Sequence, residues 1–64
     1  MNRLKEILQE RGITQTWLAN ELGVPRQIVN HICAGRVKLQ VPMAMKIKGI
    51  LGLNSIEELF KEEE

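Results

Sequence analysis

Four polar side chains at helical spacing carry the most chemistry in this 64-residue chain: Arg26, Gln27, Asn30 and His31. Asn30 lies one turn beyond Arg26 and His31 one turn beyond Gln27, so on a helix they share a compact polar face. All four can hydrogen-bond nucleobase edges or phosphate oxygens. An Arg can bond a guanine bidentately and a Gln an adenine, each pairing worth about 1–3 kcal/mol of discrimination. His31 has three open readings: a base edge, a phosphate or water. Ile28 could meet a thymine methyl or pack beside the preceding helix. Catalysis finds no comparable constellation. The sequence has no Gly-rich phosphate loop, no paired carboxylates with a cleft and no nucleophile–base pair, so an enzyme is not expected. His31 and Cys33 are two apart, point to different sides of a helix and have no partner ligands. Neither a metal nor a cofactor is expected.

The frame for these side chains is the stretch 14–35, TQTWLANELGVPRQIVNHICAG, which reads as helix, tight turn, helix. Thr14 suits the N-cap of the first of these helices, its hydroxyl oxygen accepting an N–H of the opening turn. Leu18 and Leu22 form one apolar stripe, and Ala19 is small enough to admit a neighbouring helix. Gly23 ends the helix where a left-handed residue is needed. Val24 turns inward, and Pro25 opens the next helix, where its missing N–H costs nothing. Val29 and Ile32 form the buried side of that helix, opposite the polar face.

The flanking segments predict the remaining supports. A first helix spans about 2–11, with Leu4, Ile7 and Leu8 on one side and Gly12 at its end. The predicted motif helices are 15–22 and 26–33, with Gly35 closing the second, and 36–41 is a loop. Pro42 begins a fourth helix with Met43, Ile47, Ile50 and Leu51 on its apolar side and Gly52 as its stop. Ser55 and Glu58 have capping-box spacing for a short final helix holding Ile56, Leu59 and Phe60. The expected core is Leu4, Ile7, Leu8, Ile13, Leu18, Leu22, Val24, Val29, Ile32, Ile47, Leu51, Leu59 and Phe60. Trp17 suits the edge of that core or an interface, while Met43 and Met45 suit helix filler or an association surface. The expectation is an all-α, five-helix domain over 1–60, followed by an acidic tail over 61–64.

A chain this short makes one domain and buries only about 60% of the surface its unfolded form exposes. Cys33 is the sole cysteine, so no intrachain disulfide can form, a pattern suited to a reducing cytoplasm. No apolar run approaches the ~18 residues of a membrane span, and no signal-peptide pattern is visible. A soluble, cytoplasmic protein without membrane partners is expected. Net charge is +1, but its distribution is uneven. Residues 1–21 balance Arg3, Lys5 and Arg11 against Glu6, Glu10 and Glu21. Residues 22–56 hold Arg26, Arg36, Lys38, Lys46 and Lys48 and no acid, whereas 57–64 carry five Glu against one Lys. A uniformly basic block across the polar helix and its loop is the electrostatic footprint of a nucleic-acid surface. For Lys46 and Lys48, a solvated helix face is the competing reading.

Together these segments resemble the helix-turn-helix family of phage lambda repressor and Cro, the Xre-type regulators. The opening LKEILQERGITQ over 4–15 is similar to the family's first helix and the entry to its second. AMKIKGILGL over 44–53 is similar to its fourth helix, and SIEELF over 55–60 to its fifth. The chain departs from the family pattern in four places. Pro25 replaces a usual Ser or Thr, Cys33 and Ala34 replace Glu-Asn, Ile28 is apolar where many relatives are polar, and the loop before Ser55 is one residue longer.

The resemblance implies sequence-specific double-stranded DNA binding by a transcriptional regulator, most simply a repressor, with the third helix in the major groove. It also implies base reading by Arg26, Gln27, Asn30 and His31 and phosphate anchoring by Gln15, Arg36 and Lys38. A homodimer on a roughly palindromic operator would follow, formed free or only on DNA, with its contact surface over 49–60. The alternative within the same fold is an antitoxin or interaction module whose main partner is a toxin or another protein. A third is one domain of a longer, ligand-sensing regulator.

Overall fold

Three hydrophobic residues in the first helix, Leu4, Ile7 and Leu8, repeat at the i, i+3, i+4 spacing that makes one helical face apolar, and all three are buried. A computed structural model describes residues 2–60 and builds five helices on such stripes: α1 Leu4–Arg11, α2 Gln15–Leu22, α3 Arg26–Cys33, α4 Val41–Leu51 and α5 Glu57–Phe60. Among the described residues there is no strand. The fold is all-α, as expected, and fits within 31 × 24 × 23 Å.

Helices of this length are marginal alone in water, so packing must hold them. The shared core takes Leu18 and Ala19 from α2, Val29 and Ile32 from α3, Ala44, Ile47 and Leu51 from α4 and Leu59 from α5. Every hydrophobic residue expected inside lies in this core or packs against it half-buried. Leu39, Ala44 and Leu53 join them. Leu39 sits in a segment expected only as a loop, and it pins the path from α3 to α4. Among the described residues every buried one is apolar, so the centre is held by exclusion of water rather than by polar pairing.

Local signals set the element ends, with three adjustments to the expected boundaries. The first helix begins at Leu4 rather than near Asn2: Arg3 is its N-cap and makes no side-chain cap bond, and the Leu4 N–H donates at 2.9 Å to the side-chain Oδ1 of Asn2. The Asn2 Nδ2 donates to the Ile32 carbonyl at 3.2 Å, which ties the chain start to α3. Pro42 follows Val41, the first residue of α4, instead of opening that helix. At α5 the Glu58 carboxylate reaches past Ser55 to accept from the Asn54 N–H at 3.0 Å, while the Glu58 N–H meets the Ser55 carbonyl at 3.3 Å. The capping acid is therefore the expected one, but its backbone donor lies one residue earlier. The proposed tail over 61–64 lies outside the described residues.

Two long-range links close the bundle. The Arg11 guanidinium donates to the Leu51 carbonyl at the C-terminal end of α4, where a cation is favoured by the helix dipole. The Arg3 N–H donates to the Leu59 carbonyl at 2.8 Å, joining the start of α1 to α5.

Leu18 is fully buried on α2, the helix that packs most closely against α3. Leu18→Ala should cost about 2–5 kcal/mol through lost burial and the cavity it leaves. A urea titration should show the midpoint falling sharply with its slope unchanged.

Candidate nucleic-acid interface

The second and third helices meet through a turn that the sequence specifies residue by residue. Thr14 holds extended backbone angles, and its Oγ1 accepts from the Trp17 N–H at 3.0 Å, capping α2 as expected. At the other end Gly23 adopts φ 74°, in the left-handed region. The Gly23 N–H reaches the Ala19 and Asn20 carbonyls at 2.8 and 3.3 Å, and the Val24 N–H reaches Ala19 at 3.1 Å. This backbone pattern satisfies two carbonyls that a helix end would otherwise leave orphaned and turns Val24 against the core. Pro25, with φ −63° and ψ 147°, then delivers the chain into α3. No side chain caps α3, although the Ile28 N–H reaches the Pro25 carbonyl at 3.0 Å, and the positive end of the helix dipole there favours an anion.

The four polar residues of α3 emerge on its outer side. Arg26, Gln27 and Asn30 are exposed and His31 is half-buried. Val29 and Ile32, fully and almost fully buried, hold the opposite side. Ile28 is 38% exposed, so its side chain remains available beside the polar face. Gln15, the first residue of α2, is brought to this face across the turn: Asn30 Nδ2 donates to Gln15 Oε1 at 3.1 Å.

That bond fixes which end of each amide is free. With Oε1 engaged, Gln15 keeps its NH2 group as a donor, while Asn30 keeps Oδ1 as an acceptor. The reversed pairing would turn the Gln15 oxygen outward, toward the acceptor oxygens of any phosphate.

Arg36 and Lys38 are exposed just beyond α3. Their loop is anchored at both ends. The Arg36 N–H donates to the His31 carbonyl at 2.9 Å, with Gly35 at φ 78°, and Leu39 is buried in the core. Ala34 is the cap of α3, and Gly35 supplies the left-handed residue just after it. The exposed cations Arg26, Arg36 and Lys38 thus belong to α3 and the loop that follows it. Lys46 is exposed and Lys48 half-buried on α4.

Two features of this surface were hidden in the sequence. The Gln15–Asn30 contact joins residues 15 apart, and only the angle between the helices brings them together. The Asn2 contact with α3 depends on the path of the chain start, which no local pattern encodes. Trp17 is 45% exposed on the first turn of α2.

Burial raises the Cys33 thiol above its ordinary value of 9.0, with Lys5 pulling weakly in the other direction. A thiol held protonated is a poor nucleophile at neutral pH. Among the described residues no group of His, Cys, Asp and Glu side chains is arranged to hold a metal ion, and no helix is long and apolar enough to cross a membrane.

The sequence has relatives among known proteins. The helix-turn-helix family matches residues 4–59. An uncharacterized HTH-type transcriptional regulator of Methanothermobacter thermautotrophicus is 35% identical over 57 residues, which cover 89% of this chain and 83% of that relative. No solved structure matches the chain significantly.

Two outcomes follow from the local geometry. Thr14→Ala removes the α2 cap and should lower stability by about 1 kcal/mol, readable as a fall in melting temperature. For Cys33, a folded pKa above the unfolded one leaves stability unaffected below the unfolded value and erodes it as pH rises toward the folded value. Stability measured by urea should therefore decline above about pH 9, and Cys33→Ser should show a smaller decline over the same range.

Proposed function

This chain belongs to the helix-turn-helix family of lambda repressor and Cro, and from that premise we propose that it is a transcriptional regulator, most simply a repressor, that reads double-stranded DNA with α3 in the major groove. The single observation that carries the reading is the Gln15–Asn30 hydrogen bond. It links the anion-favouring start of α2 to the exposed polar face of α3, so a phosphate contact and a base contact share one rigid register. Phosphate contacts position a reader and base contacts give it preference.

In this reading Gln27 and Arg26 meet base edges from the first turn of α3. Asn30 adds an acceptor that suits the exocyclic amino group of adenine or cytosine. His31 completes the face. Gln15, Arg36 and Lys38 grip the backbone. The absence of any acid between residues 22 and 56 supports the same surface, since an approaching duplex meets no repulsive charge there. One such module makes few contacts, so two copies on half-sites about one helical turn apart supply the rest. We read residues 1–60 as the binding domain and 61–64 as a polar tail. The chain acts by binding rather than catalysis, in the cytoplasm, where DNA and polymerase are found.

Selection from a random duplex pool at two salt concentrations tests this function. The expected result is an enriched site with two-fold symmetry. Gln27→Ala should then relax preference at particular bases at a cost of about 1–3 kcal/mol. Arg36→Ala should weaken binding to all sequences alike and reduce the salt slope by about one unit. Retention without selection would reduce the function to backbone binding. No retention at low salt would overturn it and make a protein partner, such as a toxin, the leading alternative.

A further inference from the structure

One face of α4 is apolar, and no described residue covers it. Val41 and Met45 are 53% and 60% exposed, more than any other large hydrophobic residue described. They stand one turn apart, and Gly49, also exposed, continues the stripe at the same spacing. Gly49 is anomalous in its own right. Gly12, Gly23, Gly35 and Gly52 all have positive φ, whereas Gly49 lies within a regular helix, where glycine is less stable than alanine. A Cβ built on it would meet nothing within 4 Å. Nothing inside the chain requires glycine there; a bare Cα does allow another backbone to come close.

Beside the stripe runs an open groove between α2 and α4. Glu21 and Leu22 form its α2 wall, and Met45, Lys46, Gly49 and Ile50 its α4 wall. Glu21 and Lys46 are both exposed, and neither has an ion-pair partner among the described residues. The groove therefore has an unpaired acid on one wall and an unpaired base on the other. Such a pattern is complementary to itself. A two-fold axis brings each acid to the base of the other copy, as an isologous contact requires.

We propose that this face is the docking site for a second copy of the chain, α4 against α4, with the axis near Gly49. Met45 of each copy enters the groove of the other, over Leu22 and Ile50. Glu21 of each meets Lys46 of the other, and Gly49 lets the helices approach. The proposal rests on the reading of the chain as a two-fold DNA reader. It assigns the contact to the exposed stripe of α4 and the end of α2, sharing only the Gly49 end of the segment 49–60 that the family resemblance implies.

Sedimentation equilibrium of the full chain without DNA, and again on a symmetric duplex, tests the docking face. Gly49→Ala gives the sharpest arm. It should raise the melting temperature by roughly 4–8 °C through helix propensity while weakening self-association at least tenfold. Met45→Glu should leave the chain monomeric at the same concentrations. Glu21→Lys and Lys46→Glu should each weaken association, and the two together should restore it. A Gly49→Ala chain that is more stable and associates unchanged would overturn the proposal. So would a wild-type chain that stays monomeric both free and on the symmetric duplex, or a double charge swap that fails to restore association. Binding of Gly49→Ala, which leaves the charge of the chain unchanged, to a single half-site should equal wild type. Loss of half-site binding by the wild type itself would count against the DNA reading, while sedimentation would still decide the docking face.

Discussion

The crossing of α2 and α3 hangs on Ala19. Its carbonyl accepts from both Gly23 and Val24, so it anchors the turn, and its methyl group is buried in the core between the helices. A larger side chain would push α3 outward, and a different turn would rotate it. Either change would separate Gln15 from Asn30, whose 3.1 Å contact tolerates little movement. The orientation of the polar face therefore follows from one small residue and the hydrogen bonds that its backbone receives.

The core and the outer face divide the labour cleanly. With only apolar groups buried among the described residues, no polar network inside them competes with the surface for the same side chains. Stability comes from area removed from water, and it is spread over residues contributed by all five helices. The residues assigned to binding stand mostly exposed, so replacing them disturbs recognition far more than folding. Thr14 is the exception on this surface, because it serves the start of α2 directly.

The five helices were legible because each boundary has a local cause. Thr14, Gly23 and Gly52 mark helix ends through caps and left-handed residues, and α2 and α3 span the residues that the pattern indicated. The differences arise where a side chain acts on a distant backbone. Asn2 bonds the Leu4 N–H and reaches α3, and the first helix starts two residues later than expected. Leu39 is buried because the chain must return from α3 to α4 across the core, a fact of topology that no periodicity records. For the candidate interface, helical spacing alone grouped Arg26, Gln27, Asn30 and His31. The family resemblance added Gln15, and neither source revealed that its amide would be held by Asn30.

The backbone bond between Arg3 and Leu59 makes the described chain a closed ring. Its first turn and its last helix are neighbours, and the Asn2 link to the end of α3 lies in the same region. Closing a loop of this length costs chain entropy before it returns any contact. A chain emerging from a ribosome can make the Arg3–Leu59 bond only after α5 has been synthesised, so the contact that joins the two ends of the described chain is among the last to form.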